Sequence, residues 1–154
     1  MTRYSSAPVR FAILAAALSV ALVGCQPGPE GPEGTTTDAP GQAFAQIAPD
    51  ETARFTGTEP FWGGQVAGGS LTYSTVEDPD GTTIAVERFA GNNGLGYSGS
   101  LDGTSFDMAI TPGECSDGMS DRTYPFTVTL RIGEEQRTGC AWTDRMPFSG
   151  PANP

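Results

Sequence analysis

Short segments of alternating apolar and polar residues fill much of the chain between residues 54 and 148. The clearest is residues 124–132, in which Tyr124, Phe126, Val128 and Leu130 share one face. Successive side chains of a strand point to opposite faces, so this period of two predicts a β-strand with one buried face. The same pattern predicts strands at residues 61–66, 70–76, 82–90, 95–101, 106–110 and 138–142.

The breaks between these segments are short and carry turn residues, as in Asp78-Pro79-Asp80-Gly81 and Asn92-Asn93-Gly94. Gly and Asn adopt positive φ at little cost, which suits tight connections between antiparallel strands. No segment after residue 53 shows apolar spacing of 3.6 residues over ten positions, so we expect little helix. The prediction is an all-β fold, a small antiparallel meander closing into a barrel or a sandwich.

The N-terminus has the pattern of a bacterial lipoprotein signal peptide. Arg3 and Arg10 precede an apolar run at residues 11–23, which is too short to cross a bilayer as a helix. The run ends in Leu22-Val23-Gly24-Cys25, which resembles the lipobox at which such precursors are cleaved and lipidated. We therefore predict a signal peptide at residues 1–24 and fatty-acyl chains such as palmitate on Cys25. An ordinary secreted protein, with Cys25 removed or left as a stray thiol, is the alternative.

Residue Gln26 follows the cysteine, where Asp would favour retention at the inner membrane in well-studied envelopes. We therefore expect a cell-envelope protein anchored in the outer membrane and facing the periplasm. Residues 25–53 are rich in Pro and Gly and poor in large apolar residues, which predicts a disordered tether. The β-domain is predicted at residues 54–148, with a flexible tail at residues 149–154.

The composition excludes several classes of chemistry. All eight basic residues are Arg and the chain has no His, so it offers neither Ser-His-Asp nor Schiff-base chemistry. The formal net charge is −10, and it becomes −12 for the 130 residues that remain when residues 1–24 are removed. Such acidity disfavours nucleic acid and anionic lipid surfaces as partners. It suits a basic partner, or serves solubility alone.

Two further cysteines, Cys115 and Cys140, form an even pair in an oxidising compartment, which predicts a disulfide bond. A redox pair or a thiolate metal site is the alternative, but the spacing and the additional ligands that these need are missing.

Two segments are denser in specific residue types than a generic β-domain requires. They are Glu59-Pro60-Phe61-Trp62 and the stretch from Cys115 to Pro125, with Asp117-Gly118-Met119-Ser120-Asp121 at its centre. Together with Gly139-Cys140, they resemble motifs of a family of uncharacterised bacterial envelope lipoproteins. The resemblance covers most of residues 55–142. It implies a small disulfide-bearing β-domain of the envelope, and no activity.

The motifs supply the candidate recognition residues, which are Glu59, Trp62, Asp117, Ser120, Asp121 and Tyr124. Of the two aromatic residues after Pro60, one is expected in the core, because neighbouring strand residues face opposite sides. No catalytic residue, cofactor or metal is predicted. A calcium site made by Glu114, Asp117 and Asp121 is the alternative reading of the acidic loop, although their spacing matches no known calcium loop.

These observations favour a lipid-anchored, non-enzymatic binding or envelope-maintenance module, with the membrane as one partner and a periplasmic protein or glycan as another. One concrete form is an inhibitor of a basic enzyme such as lysozyme. A hydrolase that uses only carboxylates, for example Glu59 with Asp121, is the alternative enzyme class.

Overall fold

The computed structural model describes residues 42–151, and these form a closed barrel of eight antiparallel strands. Each strand pairs with the next along the chain, and the last pairs with the first. The strands are β1 (Ala53–Thr58), β2 (Phe61–Ala67), β3 (Ser70–Thr75), β4 (Thr82–Ala90), β5 (Leu95–Leu101), β6 (Thr104–Cys115), β7 (Tyr124–Ile132) and β8 (Glu135–Thr143). Residues 42–151 contain no helix, and hence none long and apolar enough to cross a membrane.

The inward-facing apolar side chains of the alternating strands fill the barrel, as the sequence pattern predicted. Buried aromatic rings lie in contact across the interior: Phe55 against Trp62 at 5.9 Å between centroids, Trp62 against Tyr73 at 6.2 Å, and Tyr73 against Phe106 at 5.7 Å. Aromatic pairs at these separations add stability beyond the area they bury. The prediction of an antiparallel meander is confirmed, and its closure is that of a barrel.

The buried indole of Trp62 lies where the neighbouring strands have no side chains. A Cβ added at Gly57 would overlap the indole ring, and one added at Gly139 would lie 3.0 Å from Cζ2 and overlap the carbonyl oxygen of Thr56. These glycines therefore make room for the largest side chain of the core. Trp62 of the first motif and Gly139 of the Gly139-Cys140 pair are thus parts of one packing unit.

Folded structure is already present before residue 54, where the sequence pattern placed the domain boundary. Strand β1 starts at Ala53, and the preceding segment packs on the barrel with Phe44 and Ile47 buried. The Phe44 N–H donates to the carbonyl oxygen of Gly91 at 2.7 Å, and the Arg88 guanidinium donates to that of Ile47 at 2.9 Å. Residues 42–52 are therefore part of the folded unit, and the barrel has one strand more than the seven predicted.

A disulfide bond joins Cys115 at the end of β6 to Cys140 in β8, with 5.5 Å between the two Cα atoms. It links the two strands that flank β7 in the barrel. The predicted pairing of the two cysteines is confirmed. The predicted signal peptide, the lipidation residue Cys25 and residues 25–41 of the tether lie outside the described residues.

Candidate functional site

The carboxylate of Asp117 organises the loop between β6 and β7, residues 116–123. Its Oδ1 atom accepts hydrogen bonds from the backbone N–H groups of Met119 at 3.0 Å and Ser120 at 2.8 Å. Its Oδ2 atom accepts from the hydroxyl groups of Ser120 at 2.7 Å and Tyr124 at 3.1 Å. An Asp that accepts from donors two and three residues later closes a compact turn. Four donors therefore fix this carboxylate and the course of the loop.

Opposing effects act on the pKa of Asp117. Burial raises the pKa, whereas the hydrogen bonds from Ser120, Met119 and Tyr124 lower it, and the result is a value of about 2. Hydrogen bonds to the ionised form favour that form. Asp117 is therefore an anion over the whole neutral and mildly acidic range.

The loop lies against the hairpin of β1 and β2, which carries the other motif. The Thr58 hydroxyl donates to the backbone carbonyl oxygen of Asp117 at 3.2 Å. The Glu59–Pro60 peptide bond is cis, and β2 follows it directly. Phe61 then faces outward, with 51% of its surface exposed, while Trp62 points into the barrel with 3% exposed. The two motifs, far apart in sequence, thus meet on the outer surface of the barrel.

An open cleft of about 300 Å³ lies between the loop and the hairpin, and we call it the motif cleft. Phe61, Met119 and Trp142 supply the apolar part of its lining, and Thr56 and Thr58 supply hydroxyl groups. Phe61 also lines a shallower depression next to it, together with Val76. The motif cleft is thus the centre of a larger, partly apolar surface.

A packed aromatic cluster supports the far side of the motif cleft. Tyr124 lies 5.4 Å from Trp142 and 5.5 Å from Phe148 between ring centroids. The guanidinium of Arg122 stacks on the Phe148 ring at 4.5 Å, and its Nε atom donates to the carbonyl oxygen of Pro151 at 2.9 Å.

The chain beyond β8 also contacts the loop. Thr123 and Ser149 exchange two backbone hydrogen bonds of 3.0 and 2.9 Å. Residues 149–151, assigned from sequence to a flexible tail, therefore brace the loop that forms the cleft.

The candidate residues from the sequence fall into two groups in the structure. Glu59 and Asp121 are exposed, and Ser120 and Asp117 are half-buried within the loop. Trp62 and Tyr124 are buried, with 3% and 2% of their surfaces exposed. Only Asp117, Ser120 and Tyr124 among the six are joined by hydrogen bonds. Within residues 42–151, no three His, Cys, Asp or Glu side chains are arranged to hold a metal ion.

Sequence reasoning missed Phe61, Met119 and Trp142 as the apolar lining of the cleft. A usable signal existed for Phe61, because Trp62 is in phase with the apolar residue Val66 and Phe61 is not. No periodic signal marks Met119, whose 67% exposure results from the turn that Asp117 closes.

Comparison of the chain with protein-family models, curated proteins and solved structures gave no significant match. The resemblance to envelope lipoproteins stays a prediction, and the site is interpreted from its own residues.

Proposed function

We propose that the chain is a lipid-anchored protein of the bacterial envelope whose barrel is a non-enzymatic binding module. The lipobox-like end of the apolar run, Leu22-Val23-Gly24-Cys25, supports the anchor. Two or more acyl chains are needed to hold a protein on a membrane stably, and lipidation at such a cysteine supplies them. The Pro- and Gly-rich residues that follow Cys25 give the barrel reach from the outer-membrane surface into the periplasm.

The proposed binding role rests mainly on one observation, the position of the exposed apolar side chains. Among residues 42–151, four large apolar side chains are exposed, and three of them, Phe61, Val76 and Met119, line the motif cleft or the depression beside it. Single exposed apolar residues are ordinary, but adjacent ones rimmed by polar groups are typical of interaction sites. The motif cleft is therefore the surface on which we expect a partner to bind.

The charge of the chain defines the partner chemistry. The net charge is −10, and Glu59 and Asp121, the exposed acids of the two motifs, belong to the hairpin and the loop that enclose the cleft. A basic protein that inserts an apolar side chain between Phe61 and Met119 satisfies both features. Inhibition of a basic envelope-degrading enzyme such as lysozyme is one concrete form of this function.

Asp117 has the properties of a structural carboxylate and does not suit the role of a general acid. A carboxyl group that acts as a general acid near neutral pH needs a raised pKa, whereas the pKa of Asp117 is lowered to about 2. Both of its oxygens already accept hydrogen bonds from the protein.

Crosslinked affinity capture from intact envelopes tests the proposal. The tagged full chain is compared with the variants Phe61→Ala and Phe89→Ala, which each remove one exposed phenyl ring, Phe61 at the motif cleft and Phe89 elsewhere on the barrel. A saturable protein partner that is lost with Phe61→Ala and kept with Phe89→Ala supports the motif cleft as the binding surface. Equal capture by both variants contradicts it.

The anchor is tested separately with Cys25→Ser. This variant should move from the membrane fraction to the soluble fraction, and an unchanged distribution contradicts lipidation at Cys25. Purified lysozyme gives a direct test of the inhibitor form. Inhibition that Phe61→Ala weakens supports it, and undiminished lysozyme activity at saturating protein excludes it.

A further inference from the structure

A second groove, of about 580 Å³, crosses the outer faces of the five strands from β4 to β8. None of its lining residues lines the motif cleft. Phe89, the fourth exposed large apolar residue, forms one end and is 72% exposed. The groove therefore requires an explanation separate from the proposed function of the motif cleft.

The floor of this groove is set by the strand register. Phe89 is paired with Gly96, Gly96 with Ala109, and Ala109 with Thr129, so these four residues form one row across the sheet. Phe89 and Ala109 are exposed on the outer face, and Gly96 has no side chain. The Phe89 ring forms a wall beside a flat floor, which consists of Gly96 and Ala109. The hydroxyl group of Thr129 lies at the far end of this row.

The neighbouring row forms a polar edge. Glu87, Ser98, Asp107, Arg131 and Gln136 are paired in succession across β4 to β8. Together they offer carboxylate, hydroxyl, guanidinium and amide groups along one side of the groove. Arg131 and Asp107 form an ion pair at 3.2 Å, so the middle of this edge carries little net charge.

We propose that this groove binds a short, uncharged glycan. A sugar ring has an apolar C–H face, which packs on an aromatic ring and on a flat surface, and hydroxyl groups around its edge, which need donors and acceptors. The floor of Gly96 and Ala109 beside Phe89 suits the apolar face of a sugar ring. The polar row supplies the donors and acceptors that its hydroxyl groups need.

The dimensions and the charge narrow the ligand class. Neighbouring strands lie about 4.8 Å apart, so five strands give the groove a length of roughly 19 Å, longer than one sugar ring. The net charge of −10 and the exposed Glu87 oppose anionic polymers such as nucleic acids. An uncharged oligosaccharide avoids this repulsion and uses the hydrogen-bonding groups on the polar edge.

Calorimetric titration of the full chain with linear hexasaccharides tests the proposal. The probes are the β-1,4-linked hexamers of N-acetylglucosamine and of glucose, and the α-1,4-linked hexamer of glucose. Phe89→Ala removes the wall, and Ala109→Ile fills the floor without removing a polar group or adding an aromatic ring. We expect saturable binding of at least one hexamer, and at least tenfold weaker binding by each variant.

Phe61→Ala is the matched control, because it removes an exposed phenyl ring from the motif cleft alone. It should bind the hexamer as the unchanged chain does, whatever its effect on capture of a protein partner. Absence of binding to all three hexamers overturns the glycan proposal. So does binding that Phe61→Ala abolishes, or binding that neither Phe89→Ala nor Ala109→Ile weakens. Circular dichroism of each variant verifies that the barrel is folded.

Discussion

At the scale of single residues, Gly139 and the indole of Trp62 depend on each other. A methyl group at position 139 would overlap the carbonyl oxygen of Thr56 and crowd the ring of Trp62. Overpacking of this kind in a filled core costs about 1–3 kcal/mol. We therefore expect Gly139→Ala to lower the free energy of unfolding by about 2–3 kcal/mol in denaturant titrations. Gly113→Ala is the control, since its Cβ would meet only a methyl group at 3.6 Å, and a matching loss there would contradict the steric cause.

A second prediction at this scale concerns the carboxylate of Asp117. Replacing its carboxylate with an amide in Asp117→Asn puts a donor opposite the hydroxyl groups of Ser120 or Tyr124. Loss of charged hydrogen bonds at a half-buried site costs about 1–3 kcal/mol, which we expect in the free energy of unfolding at pH 7. Asp121→Asn, at an exposed position in the same loop, should change stability by less than about 0.5 kcal/mol. Equal effects of the two substitutions would show that the hydrogen bonds of Asp117 are not the cause.

The sequence predicted individual residues unevenly, for physical reasons. Period two correctly put Phe61 and Trp62 on opposite faces, because strand geometry alone determines that relation. The sequence analysis left open which of the two faces inward, although the phase of Trp62 with Val66 indicates it, and Gly57 and Gly139 leave the space that the indole fills. Nor did it reveal the role of Asp117, because that role depends on where Tyr124 lies after the loop has folded.

At the scale of elements, the segment before β1 is held by an ion pair. Arg145 donates to Glu51 at 2.9 Å, and the side chain of Glu51 is only 9% exposed. The hydrogen bond from Arg145 lowers the pKa of Glu51 from 4.5 to about 2, against the effect of burial. A carboxyl group whose pKa is lower in the folded state stabilises that state above its unfolded pKa. Its contribution is complete above about pH 4.5 and is lost as the pH falls toward 2.

We expect Glu51→Gln to lower the free energy of unfolding by about 2 kcal/mol at pH 7, and by progressively less below pH 4.5. Hydrogen exchange of the Phe44 N–H, which donates to Gly91, should become faster as the segment detaches. Asp144→Asn is the control, because the Arg54 pair it removes is at the surface, with Asp144 79% exposed. If Glu51→Gln leaves exchange at Phe44 unchanged, the ion pair does not hold the segment.

The sequence pattern did not predict β1 or the folded segment before it. The seven predicted strands all exist, since alternation and turn residues are local signals. Strand β1 was missed, because Ala53, Phe55 and Gly57 on its inner face include two small residues and give a weak alternation. The burial of Phe44 and Ile47 depends on the hydrophobic core of the barrel that they join, and no local pattern contains that contact.

At the scale of the whole molecule, pairing of β1 with β8 decides between the two predicted architectures. The register joins Arg54 to Trp142 and Thr56 to Cys140, which removes the free edges that a sandwich would keep. The choice was open from the sequence, because closure depends on strand pairings that periodicity does not reveal. Both candidate sites lie on this closed surface, and the motif cleft and the groove at Phe89 share no lining residue.

The disulfide acts on the stability of this closed unit as a whole. The bond between Cys115 and Cys140 spans 25 positions, and closing a loop of this size in the unfolded chain is worth roughly 3–4 kcal/mol. In a domain of about 100 residues, losing that much free energy of unfolding lowers the Tm by roughly 10 °C or more. We therefore expect a reductant to lower the Tm of the chain by that amount at neutral pH.

A double variant, Cys115→Ala with Cys140→Ala, separates the bond from other effects of the reductant. Its Tm should match that of the reduced chain and should not respond to reductant. Its near-ultraviolet circular dichroism should stay that of the intact barrel, because the bond constrains mainly the unfolded chain and the core packs without it. A double variant as stable as the oxidised chain would contradict the prediction. It would mean that the hydrogen bonds and the packed core stabilise the barrel without help from the bond. In that case the bond would serve only to position the loop that carries Asp117.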